Sequence, residues 1–313
     1  MKNFIVSPSP HIATQTDTTT IMRDVLIALA PSLVASALIF GFRALLVVAV
    51  CVATCVLCEF AFEKACKKPV TVGDLSACVT GVILAFNLPV GIPIWQAVFG
   101  SIVAIVVVKM LFGGIGQNFA NPAVTARIVM LLAFSGTMTT WAFPDAVSSA
   151  TPLAILSAEF TDAVSSATPL VLPSLWDMFL GVHGGSLGET SALALLIGGI
   201  YLLARRVISW HTPVALLGTV AVLTWALGSS PEYHVLSGAV MLGAFFMATD
   251  YSTTPSTNTG RVIFGVGCGL ITVLIRLWGN YPEGVSFAIL LMNILTPHIS
   301  NLTRKKPFGG AEA

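Results

Sequence analysis

The sequence has 313 residues, of which 56% are hydrophobic and 9% are charged, with a formal net charge of +1 at pH 7. Soluble domains carry about a quarter charged residues, so this composition excludes a single water-soluble core. It indicates an all-α integral membrane protein, and the lack of a strongly basic cluster excludes nucleic acid as an expected partner.

The chain begins with a polar segment broken by prolines, residues 1–23. This segment has no apolar stretch and no cleavage-like site, so it does not read as a secretory signal peptide. We predict that it lies in the cytoplasm, ahead of the first membrane span.

Ten apolar stretches follow, and a helix needs about 20 such residues to cross the hydrocarbon core. The candidate spans are 24–41, 44–61, 77–90, 92–112, 122–140, 187–204, 212–228, 234–249, 262–278 and 284–300. They divide into a first transmembrane half, 24–140, and a second, 187–300. Between the halves lies a predicted extracytoplasmic loop, 141–186, and after them a cytoplasmic tail, 301–313.

The orientation of the spans follows from the positions of Lys and Arg, which favour the cytoplasmic side. Basic residues come after the second, sixth, eighth and tenth spans: Lys64, Lys67, Lys68, Arg205, Arg206, Arg261, Arg304, Lys305 and Lys306. Residues 135–183 contain none. Both termini of this multi-pass protein are therefore predicted to be cytoplasmic, in the cell (inner or plasma) membrane.

Three cysteines in the second span have the spacing of some iron–sulfur motifs: Cys51, Cys55 and Cys58. They lie in an uninterrupted apolar run, with no loop to wrap a cluster. We therefore expect buried packing residues rather than metal ligands.

Two of the spans are interrupted, and their positions indicate an internal repeat. The third contains Asn87, Pro89, Gly91 and Pro93, and the eighth runs into a polar break at 250–255. Downstream, Phe-Gly at 99–100 recurs at 264–265, an offset of about 165 residues. Five crossings separate the copies, so we predict two inverted five-helix repeats whose broken helices line a central site. Chance similarity among glycine-rich helices is the alternative.

Two glycine-rich segments are candidates for binding. Gly113, Gly114 and Asn118 precede Arg127 by a short stretch of chain and would suit an anion or the edge of a flavin ring. Gly185 and Glu189 lie at the start of the sixth span. Their small neighbours would let a ligand approach the backbone, but a helix cap explains them equally well.

Asp250 ends the broken eighth span and is followed by several hydroxyl residues. With those hydroxyls and free carbonyls it could complete an oxygen shell for a cation such as Na⁺. It could equally cap the break or pair with Arg261.

The loop between the halves contains one peptide twice: Asp-Ala-Val-Ser-Ser-Ala-Thr-Pro-Leu begins at Asp145 and again at Asp162. A Thr hydroxyl is a poor nucleophile without an adjacent base, and this peptide supplies no His, Lys or Cys. It therefore suits a tag in which a separate enzyme recognises and modifies the Thr.

The tag resembles the flavin-attachment motif Asp-x-x-Ser-[Gly/Ser]-Ala-Thr, with Asp145 and Ser148 preceding Thr151. The chain as a whole resembles the family formed by the D subunits of Rnf complexes and the B subunits of sodium-pumping NADH:quinone reductases. The segments that carry this likeness are Ser7–His11, Thr18–Met22, Gly113–Asn118, Asn121–Ala123, Gly185–Ser191, Ala248–Ser252 and Tyr281–Ala288. They are distributed from residue 5 to residue 300.

The resemblance implies a membrane electron carrier, in which a flavin transferase links FMN to Thr by a phosphoester. It also implies Rnf partner subunits A, B, C, E and G, above all the flavin-bearing G, and transfer of electrons between ferredoxin and NAD coupled to export of Na⁺ or H⁺. A second, non-covalent flavin (riboflavin) between the repeats is a further expectation.

The duplicated tag departs from the family pattern. Thr151 is favoured as the FMN site because removing residues 164–171 restores the expected loop with Thr151 in place. Thr168 has the complete tag too, so attachment there, or at both, stays open, as does an inert second copy. The alternative function is a channel or secondary transporter of inverted-repeat fold, which needs neither hydroxyl.

Overall fold

The computed structural model describes residues 17–141, 151–160, 172–279 and 283–304, and all regular secondary structure within these ranges is helical. The α-helices are α1 Thr18–Phe40, α2 Phe42–Ala65, α3 Ser76–Phe86, α4 Ile94–Ile102, α5 Pro122–Ala133, α6 Ser135–Met138, α7 Pro152–Phe160, α8 Leu175–Leu180, α9 Ala192–Ala204, α10 His211–Ala226, α11 Pro231–Leu236, α12 Val240–Leu242, α13 Asn258–Trp278 and α14 Val285–Thr303. π-Helices at Val103–Met110 and Gly243–Met247 continue α4 and α12, and a 3₁₀ turn spans Val72–Asp74. The predicted all-α membrane class is confirmed.

Four helices of the described chain, α1, α2, α13 and α14, are long and apolar enough to cross a membrane alone. Five more apolar helical segments are shorter: α3, α4 with its π-helix, α5, α9 and α10. Together they make this a multi-pass membrane protein. At 1.5 Å per residue, the 11 residues of α3 cover about half of a hydrocarbon core of about 30 Å.

Several helices begin or end elsewhere than the hydropathy pattern predicted. α1 starts at Thr18 rather than at residue 24, because the Asp17 side chain accepts a 2.8 Å hydrogen bond from Thr20 N and caps the helix. α5 ends at Ala133, and α9 begins only at Ala192. Hydropathy reports burial in lipid or protein, so it cannot separate a helix from buried irregular chain.

The first predicted half contains α1 to α6 and the second contains α9 to α14, and the inverted relation between them stays a prediction. The halves pack against each other through α1 with α9 and α5 with α14. A Cβ on Gly198 of α9 would overlap the carbonyl oxygen of Ala28, so only glycine allows the first of these contacts.

The two broken segments meet at the centre of the protein. After α3 ends, the Asn87 amide donates to Ile83 O at 2.7 Å and lies 3.4 Å from Met247 Sδ, at the end of the second π-helix. Asn121, the N-cap of α5, donates to Met247 O at 3.3 Å. The paired breaks predicted from sequence are thus neighbours in space.

A third irregular stretch, residues 183–191, is buried and runs beside the first break. Leu187 N donates to Leu88 O at 3.0 Å and Gly188 N donates to Phe86 O at 2.9 Å. Non-helical backbone is tolerated at membrane depth only when protein satisfies it in this way. The last residues of the predicted outer loop, 183–186, are buried next to these contacts.

Candidate functional site

A cavity of about 540 Å³ lies between the two halves. Its apolar lining includes Ile21, Met22, Val25, Val79, Phe245 and Phe246, and its polar lining includes Ser76, Lys109, Asn118, Thr249, Asp250 and Tyr251. Binding sites for organic ligands commonly have volumes of about 300–1,000 Å³ and mostly apolar walls with a few polar groups. The cavity fits that description.

Two of the predicted site residues, Asn118 and Asp250, meet at this cavity. The Asp250 carboxylate accepts hydrogen bonds from Ser252 Oγ at 3.1 Å and Thr253 Oγ1 at 3.2 Å, and the Asn118 side chain lies beside it. Three polar side chains thus surround the Asp250 carboxylate at the wall of the cavity. Its hydroxyl neighbours come from its own loop, as predicted, while Arg261 Nε donates to Pro255 O.

Of the other glycine-rich residues, Gly113 is exposed and Gly114 is buried, and Gly116 rather than either of them lines the cavity. Both Gly113 and Gly114 have positive φ, 126° and 104°, which explains glycine at these turns. Their predicted contact with a ligand stays a prediction.

A buried ion pair, which the sequence analysis missed, lies at the cavity, with Lys109 in the lining. Lys109 Nζ lies 2.9 and 2.7 Å from the two carboxylate oxygens of Glu59 and 2.6 Å from Ser76 Oγ. Lys109 is 3% exposed and Glu59 1%. Ionisable residues inside apolar spans were the available signal, and both residues lay within predicted spans.

Arg127 is placed in a different cluster from Asn118. Its Nε donates to Asn87 O at 3.2 Å, and its terminal nitrogens contact Ser286 Oγ and the Glu283 carboxylate. The guanidinium thus satisfies a carbonyl that the first helix break leaves free. Sequence proximity had joined Arg127 to the glycine-rich loop, and the tertiary structure separates them.

Glu189 belongs to the cluster of Arg127. Its carboxylate accepts a 2.6 Å hydrogen bond from Ser186 Oγ and acts electrostatically on both Arg127 and Arg276. A Cβ on Gly185 would lie 2.7 Å from Glu189 Oε1, so a larger residue there would displace the Glu189 carboxylate. The predicted helix cap is wrong for these residues, because Ser191 caps α9 and accepts a 3.3 Å hydrogen bond from Ala194 N. Contact of Gly185 and Glu189 with a ligand stays a prediction.

Arg276, within the predicted span 262–278, is a second buried arginine that the sequence analysis missed. Its terminal nitrogens donate to His234 O at 2.5 Å and Ser237 O at 2.9 Å, where the second half breaks before α12. Its Nε has no hydrogen-bond partner among the described residues. A Cβ on Gly238 would lie 2.8 Å from Arg276 Nη2 and 2.6 Å from Leu153 Cδ1, so Arg276 lies close to α7.

Thr151 immediately precedes α7, and its Oγ1 accepts a 3.3 Å hydrogen bond from Ala154 N. Thr151 O also accepts from Ile155 N at 3.1 Å. The favoured attachment residue is therefore the N-terminal cap of a nine-residue helix. The remaining tag residues, Asp145, Ser148 and Thr168, lie outside the described residues, so the choice between the two threonines stays a prediction.

The three cysteines of α2 are free, and Cys51 and Cys55 are buried. Within the described ranges, no group of three or more His, Cys, Asp or Glu side chains could hold a metal ion.

Comparison with known proteins decides the family. The model of the NQR2, RnfD, RnfE family matches residues 5–309. The chain belongs to this family.

Curated relatives are similar over almost their whole length. The chain is 49% identical to the D subunit of the Na⁺-translocating ferredoxin:NAD⁺ oxidoreductase complex of Acetobacterium woodii, covering 98% of this chain and 96% of that protein. It is 41% identical to the D subunit of the proton-translocating ferredoxin:NAD⁺ oxidoreductase complex of Clostridium ljungdahlii, with the same coverage. It is 40% identical to the D subunit of the ion-translocating oxidoreductase complex of Stutzerimonas stutzeri, covering 92% and 91%.

Proposed function

We propose that this chain is the D subunit of an ion-translocating ferredoxin:NAD⁺ oxidoreductase complex, where it carries electrons through the membrane. The observation that carries the proposal is the similarity of nearly the full chain to D subunits of such complexes. In this role FMN is linked covalently to Thr151, a second flavin occupies the cavity, and the chain assembles with Rnf subunits A, B, C, E and G in the cell membrane. A flavin transferase makes the covalent link.

The position of Thr151 suits a phosphoester. An ester phosphate on its Oγ1 would sit at the N-terminus of α7, where the helix dipole favours an anion. Pro152 occupies the first helical position, where the missing N–H costs nothing. The positive charge of Arg276 lies close to the first turn of this helix, at Leu153.

The cavity residues suit a flavin ring. Phe245 and Phe246 offer apolar and aromatic surface, while Asn118, Ser76 and Thr249 offer hydrogen-bonding groups. A bound flavin supplies the chemistry of accepting and passing on electrons. The chain holds the ring, keeps water from it and sets the charge around it.

The test of this proposal uses the duplicated tag as its own control. The chain is co-expressed with a flavin transferase, and covalent flavin is measured by in-gel fluorescence. We expect a fluorescent band of the protein's size that Thr151→Ala largely abolishes and Thr168→Ala leaves nearly unchanged. Mass spectrometry of the loop peptides identifies the modified Thr. Unmodified loop peptides from the native membrane would contradict covalent attachment.

One structural feature favours the alternative of a channel or secondary transporter. The cavity lies between two broken helical segments and has a carboxylate, Asp250, in its wall, as ion and substrate sites of transporters do. The alternative predicts a purified protein without flavin that moves a solute across vesicles. Flavin extracted in stoichiometric amount from the native protein would exclude it.

A further inference from the structure

We propose that Lys109, held by Glu59, is the residue that stabilises the negative charge of a reduced flavin in the cavity and so raises its reduction potential. This inference rests on the proposed function, because it takes the cavity ligand to be a flavin. It assigns a role to an ion pair that neither the tag nor the likeness to D subunits explains.

Within the ion pair, the cation lines the cavity and the anion does not. Lys109 and Ser76 both line the cavity, whereas Glu59 does not. The Glu59 carboxylate holds the ammonium with both oxygens, at 2.9 and 2.7 Å, and Ser76 Oγ fixes it from the side at 2.6 Å. A ligand in the cavity therefore meets the positive end of the pair.

Burial makes this arrangement costly as a purely structural device. Both side chains are almost fully buried, and removing two charges from water generally costs as much as their attraction returns. An apolar pair of similar volume would pack α2 against the π-helix equally well. Lys109 also lies within the π-helix Val103–Met110, a local geometry that is frequent at functional sites.

The sign of the effect follows from charge. If a neutral oxidised ring took one electron from a one-electron donor and no proton, it would gain one negative charge, and no bond would be broken. A cation in the low-dielectric wall lowers the free energy of that product, and an anion raises it. Lys109 therefore makes reduction of the flavin easier and Glu59 makes it harder. Removing Lys109 should lower the reduction potential, and removing Glu59 should raise it.

Other charges near the pair stay unchanged in the test. Glu63 and Asp74 act electrostatically on Glu59, and Asp250 lies elsewhere on the cavity lining. Because the variants remove only Lys109, only Glu59, or both, the differences between them isolate the pair.

The experiment uses the complete complex carrying Thr151→Ala and Thr168→Ala, so that the covalent flavin is absent from this chain. Non-covalent flavin is quantified by acid extraction, relative to the same complex without this subunit, and its potential is measured by spectroelectrochemical titration. We expect Lys109→Met to give a more negative potential and Glu59→Gln a more positive one. The double variant should return towards the parent value.

A merely structural pair would behave differently. In that case both single variants would lose flavin, shift the reduction potential in the same direction, or leave it unchanged. Each of these results would overturn the inference about Lys109, and flavin in the parent complex would still support a flavin in the cavity. Absence of extractable flavin from the parent chain would overturn the cavity ligand, and the inference with it.

A second comparison covers the case in which Lys109→Met leaves Glu59 buried alone and the protein does not fold. Removing Lys109 in the Glu59→Gln background creates no such unpaired charge. The double variant should still have a more negative potential than Glu59→Gln alone, and equal potentials would refute the proposal. Lys109→Arg, which keeps the charge, should stay near the parent value.

Discussion

The two buried charge clusters of this protein differ in what surrounds them. Lys109 and Glu59 form a single pair at the wall of a cavity, whereas Arg127, Arg276, Glu189 and Glu283 share a packed region between the broken segments. The arginines donate to main-chain carbonyls, of Asn87 in the first half and of His234 and Ser237 in the second. The two arginines bind irregular backbone, whereas Lys109 lines a cavity.

Arg43 extends the same comparison. Its Nε donates to Val90 O at 2.8 Å and its Nη2 to Ile92 O at 3.2 Å, on the turn after Asn87. With Arg261, which donates to Pro255 O, four arginines of the described chain satisfy carbonyls at the helix breaks. In lipid, where water cannot replace these bonds, an arginine is a practical means of keeping a broken helix.

The largest expected effect comes from removing Arg127. Arg127→Met leaves Glu283 without its ion-pair partner and Asn87 O without its donor, so we expect a loss of about 3–5 kcal/mol of stability, or no folded protein. Thermal unfolding in detergent, followed by size-exclusion chromatography, measures this. Arg205→Met is the comparison, since Arg205 is half exposed and its buried partner Asp24 keeps the hydrogen bond from Tyr201. We therefore expect a smaller loss of stability than for Arg127→Met, and equal effects of the two changes would break the distinction between a fully buried pair and a half-exposed one.

The next effect concerns the cavity alone. Thr80 lines it, and Thr80→Trp should fill the space and lower non-covalent flavin content by about tenfold or more, equivalent to at least about 1.4 kcal/mol. Covalent in-gel fluorescence should persist, because Thr151 lies in another region. Thr80→Val is the size-matched control and should retain both flavins. Loss of the covalent signal in Thr80→Trp would show that the two regions are not independent.

A smaller effect is expected at Gly185, in the packed region. Gly185→Ala would drive a Cβ to 2.7 Å from Glu189 Oε1 and should destabilise the protein by about 1–3 kcal/mol. Gly218→Ala in α10 meets nothing within 4 Å and should be neutral or stabilising by up to about 1 kcal/mol. Thermal unfolding of both variants checks the contrast. A neutral Gly185→Ala would mean that Glu189 is free to move.

The smallest effect lies at the exposed start of α1 and depends on pH. Hydrogen bonds from Thr20 lower the pKa of Asp17 from its ordinary value of 3.8. A lowered folded-state pKa contributes stability above the ordinary value and loses it as pH falls through the folded value. Asp17→Ala should therefore be slightly less stable than the parent at neutral pH and equal to it well below pH 3.8. A difference that persists in acid would mean that the carboxylate is not the cause.

The sequence predicted the helical membrane class and the positions of both breaks, since each depends on local composition. Asn87, Pro89 and Gly91 interrupt a helix whatever surrounds them. It placed Asn118 and Asp250 as binding candidates, and the structure brings them together at one cavity. It missed Glu59, Lys109 and Arg276, because a charge inside an apolar run gives no sign of which partner lies opposite.

The sequence by itself therefore determined three features: the lipid-facing character of the chain, the positions at which its helices break, and the presence of the tag around Thr151. The tertiary structure alone decided which ionisable groups meet, that Arg127 leaves the glycine-rich loop for Asn87 and Glu283, and that a cavity opens beside Lys109. The reason is physical. Helix formation and partition into lipid depend on neighbours within a few turns, while pairing of buried charges joins residues such as Glu59 and Lys109 that are 50 positions apart.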